Sequence, residues 1–415
     1  MDYRDTILKE LYKEEDLVLI EMVRDFTQDV IVPVRQKIDD DKDHIIVYEI
    51  LEGLTNLGFM RAVWPEEIGG SAMSSALTFT AALEEIARGD AGIAVSLGVS
   101  LGWIFLPAIY SKNEAIINDF GKRCCEDELI IGCFCMTEPG GPKGGGGCDI
   151  ENVKLHGKRI RTRAKLDGDQ WVLNGEKMWA SNSGIADLYL VVANTDPDAG
   201  DDGIALIYVP ADAEGLSFGK FENKAGLQAD RNCPIFMDGV LVPKEYRLSE
   251  PGKDAEYLHT NLTIGRIGSA AMSVGCAQGA FETVLEFTKD RVVGVSGKPI
   301  RQHSIAAGMI ADMAIGIETA RNAYITAAYK YDHPEEYGAS HSTAQLSRAS
   351  LAKVYAADVA INVTNRAMEL MGSYGYVREY DIEKYWRDCK IIQLWEGGAQ
   401  LGRFDICRGY YDLEL

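Results

Sequence analysis

The chain has 415 residues, 25% of them charged, with a formal net charge of −21 and an isoelectric point near 4.8. That balance argues against nucleic acid or an anionic membrane as the main partner, and the length leaves room for about two or three domains around a large core. Nine cysteines without framework spacing, and no C-x-x-C pair, read as reduced thiols in a cytosolic, cytoplasmic setting rather than a disulfide scaffold or a zinc site.

The N-terminus, Met1-Asp2-Tyr3-Arg4-Asp5, lacks the basic and apolar regions of a secretory signal. Leu19, Met22, Val23, Phe26 and Val30 predict a first amphipathic helix stopped by Pro33. Residues 45–57 predict a second, ended by Gly58, and 75–88 a third. Asp90 can cap the helix that follows. From Ala91 to Tyr110 no residue is charged, close to the length of a membrane span. Three glycines, two serines and Pro107 dilute it, so it reads as a buried helix of an α-domain. The spacing Gly98-x-x-x-Gly102 then allows close helix contact.

Near Leu129 the texture changes. Residues 129–136, 170–173, 188–193, 204–209 and 235–241 are short apolar or alternating runs, separated by turns such as Asp167-Gly168-Asp169 and Asn174-Gly175. They predict a small β-domain. Beyond Pro243 long helices return, at about 263–291, 301–330, 341–371, 380–393 and from Gln400 onward. The sequence therefore predicts an α+β chain in three parts: an α-helical 1–128, a β-domain over 129–245 and a helical bundle over 246–415.

The glycine cluster Gly140, Gly141, Pro142, Lys143 and Gly144 to Gly147 meets neither nucleotide fingerprint, because no Gly-Lys-Ser/Thr ends it and no G-x-G-x-x-G opens a helix after a strand. It reads as a loop bordering a site. The stretch that organises the chain is Trp395-Glu396-Gly397-Gly398-Ala399-Gln400-Leu401-Gly402-Arg403, behind a run of helically spaced apolar residues from Ile382 to Leu394. Glu396 falls where a helix gives way to a glycine turn. Glycines let a flat ligand approach the backbone and leave amides free to donate, which an acyl thioester oxygen gaining charge requires. One acid beside such donors suits proton abstraction next to a carbonyl, although an isolated E-G-G is also an ordinary surface turn.

Taken together, Cys135-Met136-Thr137-Glu138-Pro139, Asn174-Gly175-Glu176-Lys177-Met178-Trp179-Ala180-Ser181-Asn182, Gly297-Lys298-Pro299-Ile300, Met371-Gly372-Ser373-Tyr374-Gly375-Tyr376 and Trp395-Glu396-Gly397 resemble, in order and separation, the acyl-CoA dehydrogenase family. The resemblance implies an N-terminal all-α domain, a middle β-barrel-like domain and a C-terminal four-helix bundle, with FAD held non-covalently between the last two. It implies that Glu396 removes the α-proton of an acyl-CoA while the β-hydrogen leaves as hydride to flavin N5. By the same resemblance Phe134, Met136 and Thr137 line the flavin, and Trp179 and Ser181 meet its ring and N5 edge. Arg291, Glu369 and Gly372 reach the FAD of a neighbouring subunit, Gly398 and Gln400 follow the base, and Cys148, Arg266 and Gly397 contact acyl-CoA. Trp179, Arg266, Arg291 and Glu369 also have plain structural readings, as a core residue, ion pairs and a solvated side chain. Relatives that carry the base on a helix of the third block have it near position 265, where this chain has Gly265.

The implied protein is a homotetramer that passes electrons to an electron-transfer flavoprotein. An oxidase branch using dioxygen is the alternative, as is a dehydrogenase of cyclic acyl-CoA in which Asp90 serves as second base rather than helix cap. Gly92, Ala94, Ser96 and Gly98 are small enough to leave room for a branched or ring-bearing acyl chain. A di-iron carboxylate bundle needs two Glu-x-x-His helices, whereas the chain has only Glu256-x-x-His259.

Overall fold

The computed structural model describes residues 9–140 and 160–411. Most of the glycine cluster, from Gly141, and Cys148 lie outside the described residues. Helix α1 (Glu14–Phe26) buries Ile20 and Val23 on one face. Pro33 does not end the helical path. The chain passes through a π turn (Thr27–Ile31) and a 3-10 turn (Val32–Val34) into a short helix, Arg35–Ile38. Pro33 sits at the start of a new turn, where a missing N–H loses no partner. Helix α2 (Ile45–Asn56) is followed by Gly58 at φ 91°, a left-handed exit that glycine adopts without strain.

Helix α3 (Ala76–Gly89) is buried along its whole length, and its first turn is capped twice. Ser75 Oγ accepts from the Thr78 amide, and the Asp332 carboxylate accepts from the Ala76 and Leu77 amides at 2.7 and 3.1 Å. Helix α4 (Ala91–Gly98) continues through a π turn (Val99–Phe105) into α5 (Leu106–Tyr110). The stretch Ala91–Tyr110 is apolar enough to cross a membrane, but 83% of its apolar window is buried inside the protein. Gly98 and Gly102 permit close packing on α3: an added Cβ would lie 3.2 Å from Leu83 and 2.9 Å from Phe79.

Among the described residues seven strands form one curled sheet: β1 (Gly132–Cys135), β2 (Arg163–Asp167), β3 (Gln170–Lys177), β4 (Leu188–Asn194), β5 (Ile204–Pro210), β6 (Leu216–Phe218) and β7 (Ile235–Pro243). The order is β1-β4-β2-β3-β7-β6, with β5 antiparallel on β4. β4 and most of β5 are buried residue by residue, which is why both read as continuous apolar runs. β2 escaped prediction because only Ala164 of its five residues is buried. Asn174-Gly175 is not a turn but part of β3. Gly175, at φ 152°, forms a bulge against β7, and a Cβ there would meet Thr162 Oγ1 at 2.6 Å.

Five long helices follow among the described residues: α6 (Asp254–Asp290), α7 (Ser304–Asp332), α8 (Thr343–Met371), α9 (Ile382–Leu394) and α10 (Gly398–Tyr411). α6 packs against α3, α7, α8 and α9, so it is the pillar on which the N-terminal helices and the bundle meet. It begins at Asp254 rather than at 263, and is buried almost all round from Asn261 to Ala280. A helix buried on every side has no apolar stripe to mark its start. The fold is thus α+β, with the sheet between two helical blocks.

Candidate active site

Helix α9 ends at Leu394, and three consecutive residues then take left-handed backbone: Glu396 at φ 55°, Gly397 at 83° and Gly398 at 70°. Only glycine does this freely, and Leu401 would collide with any Cβ on Gly397. Holding Glu396 there costs about 1 kcal/mol or more, a strain that packing must offset. Two donors converge on the Trp395 carbonyl: the Gly398 amide at 2.9 Å and the ammonium of Lys353, from α8, at 2.9 Å. The Trp395 indole donates to Ser269 Oγ on α6 at 2.9 Å, and that hydroxyl donates to Glu396 Oε2 at 3.1 Å. The carboxylate is therefore tied to α6, and the backbone turn that carries it to α8.

Glu396 is half-buried. Burial raises its pKa above the ordinary glutamate value, opposed first by the charge of Lys353, then by Arg266 and the Ser269 hydrogen bond. A base of raised proton affinity is suited to general-base work. Among the described residues the amides of Glu396 and Gly397 find no acceptor, and both lie at the start of α10, where a helix presents its positive end. A basic carboxylate and open N–H donors thus occupy one turn.

Gly265 lies on α6 one helical turn before Ser269. A Cβ there would stand 2.0 Å from Cζ2 of Trp103, which the π turn between α4 and α5 swings against it. No second base can occupy that position without displacing the indole. Trp103 meets Phe134 of β1 edge-on at 5.0 Å, so this ring also joins α6 to the sheet.

On the sheet side, Phe134 and Met136 are buried, and Thr137 is half-buried with its carbonyl accepting from the Met178 amide at 3.0 Å. Trp179 and Asn182 both adopt positive φ, 65° and 67°. Trp179 is 55% exposed, an unusual fate for the largest apolar side chain. The turn that carries it is held from behind. Asp230 accepts from Ser181 Oγ at 3.2 Å and the Asn182 amide at 3.1 Å, and Asn232 donates to the Trp179 and Ala180 carbonyls at 3.3 and 3.0 Å. Asn182 in turn donates to the carbonyls of Ser96 and Gly132, which seats the turn against α4 and β1. An exposed indole beside a hydroxyl fixed by Asp230 suits a flat heteroaromatic ring.

Other predicted residues sit elsewhere. Asp90 is fully buried, caps α4 through the Gly92 and Ile93 amides at 2.8 and 3.1 Å, and pairs with Lys384 at 2.9 Å. Both oxygens are used by structural groups, so the geometry is that of a cap and ion pair rather than a second base. Arg266 is 2% exposed and bonded to Asp405 and to Ser350 Oγ, which makes it an internal anchor for α10 rather than a surface contact for acyl-CoA. Arg291 is exposed, stacks on the Tyr374 ring at 4.5 Å and donates to its hydroxyl at 3.1 Å. Glu369, Gly372 and Gln400 are also exposed, and no bulky group crowds Gly372 or Gly398. The small residues Gly92 and Gly98 are closed by packing: a Cβ would touch Ala229 at 2.8 Å and Leu83 at 3.2 Å, and Ala94 and Ser96 are buried. They leave no room for an acyl chain. Ser269, Lys353, Asp230 and Trp103 went unmarked in the sequence, because each lies far along the chain from its partner.

Three family models match successive parts of the chain: the acyl-CoA dehydrogenase N-terminal domain over 13–118, middle domain over 133–240 and C-terminal domain over 255–410. Cyclohexane-1-carbonyl-CoA dehydrogenase of Syntrophus aciditrophicus is 31% identical over 96% of this chain and 97% of that protein. The chain belongs to the acyl-CoA dehydrogenase family. Among solved structures, butyryl-CoA dehydrogenase from Megasphaera elsdenii superposes with a TM-score of 0.83 at 30% identity, covering 96% of this chain and 98% of that one. A chain from work on the electron transferring flavoprotein of Acidaminococcus fermentans gives 0.85 at 29% identity, covering 96% and 98%. Membership makes this protein an FAD-dependent oxidoreductase acting on CH–CH bonds.

Proposed function

We propose that the protein introduces an α,β double bond into an acyl-CoA, with Glu396 as the base that takes the α-proton. The observation that carries this reading is the Trp395–Gly398 turn, where a carboxylate of raised proton affinity and open amides share one left-handed backbone segment. A thioester oxygen lying against the Glu396 amide gains negative charge as the α-proton leaves, and a fixed N–H dipole stabilises that charge without reorganisation. Removing one such donor elsewhere costs about 3 kcal/mol of barrier. Ser269 keeps the carboxylate aimed while its other oxygen stays free for the proton. Bound FAD supplies the acceptor for the hydride of the β-carbon, since neither C–H bond is reactive enough alone.

Phe134, Met136, Thr137, Trp179 and Ser181 would hold the flavin ring in this reading, and exposed Arg291, Glu369 and Gly372 would meet the FAD of a second copy in a homotetramer. A cavity of about 480 Å³ is lined by Asp201, Asp202 and Asp405 as well as His259, His341 and Arg408, and its three carboxylates disfavour the phosphates of a CoA arm. Its Asp405 is the partner of Arg266, which lies three residues before Ser269 on α6, so the cavity and the Glu396 turn share one helix. The acceptor we propose is an electron-transfer flavoprotein.

The test is anaerobic mixing of the flavin-loaded protein with straight, branched, aromatic and alicyclic acyl-CoAs. Bleaching of the yellow flavin by at least one, followed by reoxidation with the flavoprotein faster than with air, is the expected result. Rapid peroxide formation would identify an oxidase instead, and no bleaching by any thioester would remove the reading.

A further inference from the structure

Among the described residues three lysines are almost completely buried: Lys177, Lys353 and Lys384. Lys177 is paired with Glu138 at 2.9 Å, and Lys384 is surrounded by Asp39, Asp90 and Asp388 at 3.0, 2.9 and 2.7 Å. Lys353 differs. Among the described residues no carboxylate lies within ion-pairing distance of it, and its one hydrogen bond is to the Trp395 carbonyl, at 2.9 Å. An ammonium buried with one of three donors satisfied is costly, and the cost is retained at the residue next to the proposed base.

We infer that Lys353 is a positioning residue for Glu396: its ammonium fixes the left-handed turn through the Trp395 carbonyl, and its charge favours the ionised form of the carboxylate. The inference rests on the reading of Glu396 as the base. Two roles are combined. The hydrogen bond holds the carbonyl that precedes Glu396 and so fixes the direction in which its backbone turns. The charge acts through space: in a site of low dielectric a nearby cation offsets part of a carboxylate's desolvation, which stays the larger effect at Glu396.

The surrounding charges isolate this role. Glu396 faces Lys353 from α8, and Arg266 and the Ser269 hydroxyl from α6. Arg266 is already neutralised by Asp405 of α10, which leaves Lys353 as the uncompensated cation. Lys353 in turn faces Glu396, Arg266 and Asp358. Burial pushes Lys353 down to about 8, and Glu396 is the first group holding it up. Each group therefore favours the charged form of the other.

Lys353→Gln keeps a donor for the Trp395 carbonyl without the charge, Lys353→Met removes both, and Lys353→Arg keeps the charge. Protonation of Glu396 is read by infrared difference spectroscopy against the same variants carrying Glu396→Gln, and the pH profile of flavin bleaching by acyl-CoA is recorded alongside. In Gln and Met variants the Glu396 midpoint is expected to rise by about one pH unit or more, a tenfold gain in proton affinity, and the bleaching profile to move with it. Lys353→Arg should restore both to within about half that shift. An unmoved midpoint in the Gln variant, with bleaching intact, would overturn the role of Lys353 and leave the proposed activity standing. A moved midpoint with no bleaching in any variant, wild type included, would instead remove the activity on which the inference rests. If Lys353→Met does not fold, the Gln and Arg variants decide the matter alone.

Discussion

Replacing Asp90 separates a structural carboxylate from a catalytic one. Its Oδ1 caps α4 through two amides at 2.8 and 3.1 Å, and its Oδ2 lies 2.9 Å from Lys384, which also has Asp39 at 3.0 Å and Asp388 at 2.7 Å. Asp90→Asn keeps an oxygen for the cap and loses the charge, whereas Asp90→Ala loses both. The cap is worth about 1 kcal/mol. Breaking a buried ion pair outright costs about 3–5 kcal/mol, but Lys384 retains two carboxylates, so about half of that applies. The expected losses are about 2 kcal/mol for Asn and about 3 kcal/mol for Ala, measured as shifts of the urea midpoint followed by tryptophan fluorescence. Turnover per folded, flavin-loaded site should stay within about twofold of wild type in the Asn variant. A proton-transfer residue contributes about 100-fold or more, so a loss of that size at unchanged stability would refute the structural assignment and restore Asp90 as a second base.

Gly265→Ala should cost about 1–3 kcal/mol, since its Cβ would meet Trp103 at 2.0 Å, and adding Trp103→Ala should recover part of that loss; additive losses would contradict the contact. His44 is 3% exposed, and burial pushes its pKa down to about 4, with Arg231 contributing. Below about pH 6.5 the unfolded chain binds a proton that the folded one resists, so stability is unimpaired above about 6.5 and falls as the pH drops towards 4, by up to about 3 kcal/mol. His44→Asn, which tolerates the residue's φ of 63°, should flatten that limb of the stability curve, and an unchanged slope would exclude His44 as its origin.

Helices with one apolar face and the apolar strands were legible because burial on one side, or on two faces of a sheet, leaves a periodic or continuous trace. The start of α6, the outward-charged β2 and the bulge at Gly175 left none, because all-round burial, exposure and a third segment's contact decide them. Within the site the same division holds. Glu396 stands where helical spacing gives way to glycine and could be marked from the chain alone, whereas Trp179 was marked only through the family resemblance of its segment. Arg266 was marked for acyl-CoA and Asp90 as a cap or a second base, and the buried partner of each, Asp405 or Lys384, is chosen by tertiary packing, which the chain does not show. Pro33 misled for a related reason: it ends one turn only to begin the next.

The central claim is that Glu396 exchanges a proton with the α-carbon of a bound thioester. Anaerobic incubation in heavy water with an acyl-CoA whose β-carbon cannot give up hydride isolates that step, and mass spectrometry reads the label. Wild type is predicted to place deuterium at the α-carbon, and Glu396→Gln, still yellow with flavin, to place none. Deuterium incorporated at the wild-type rate by Glu396→Gln would contradict the account.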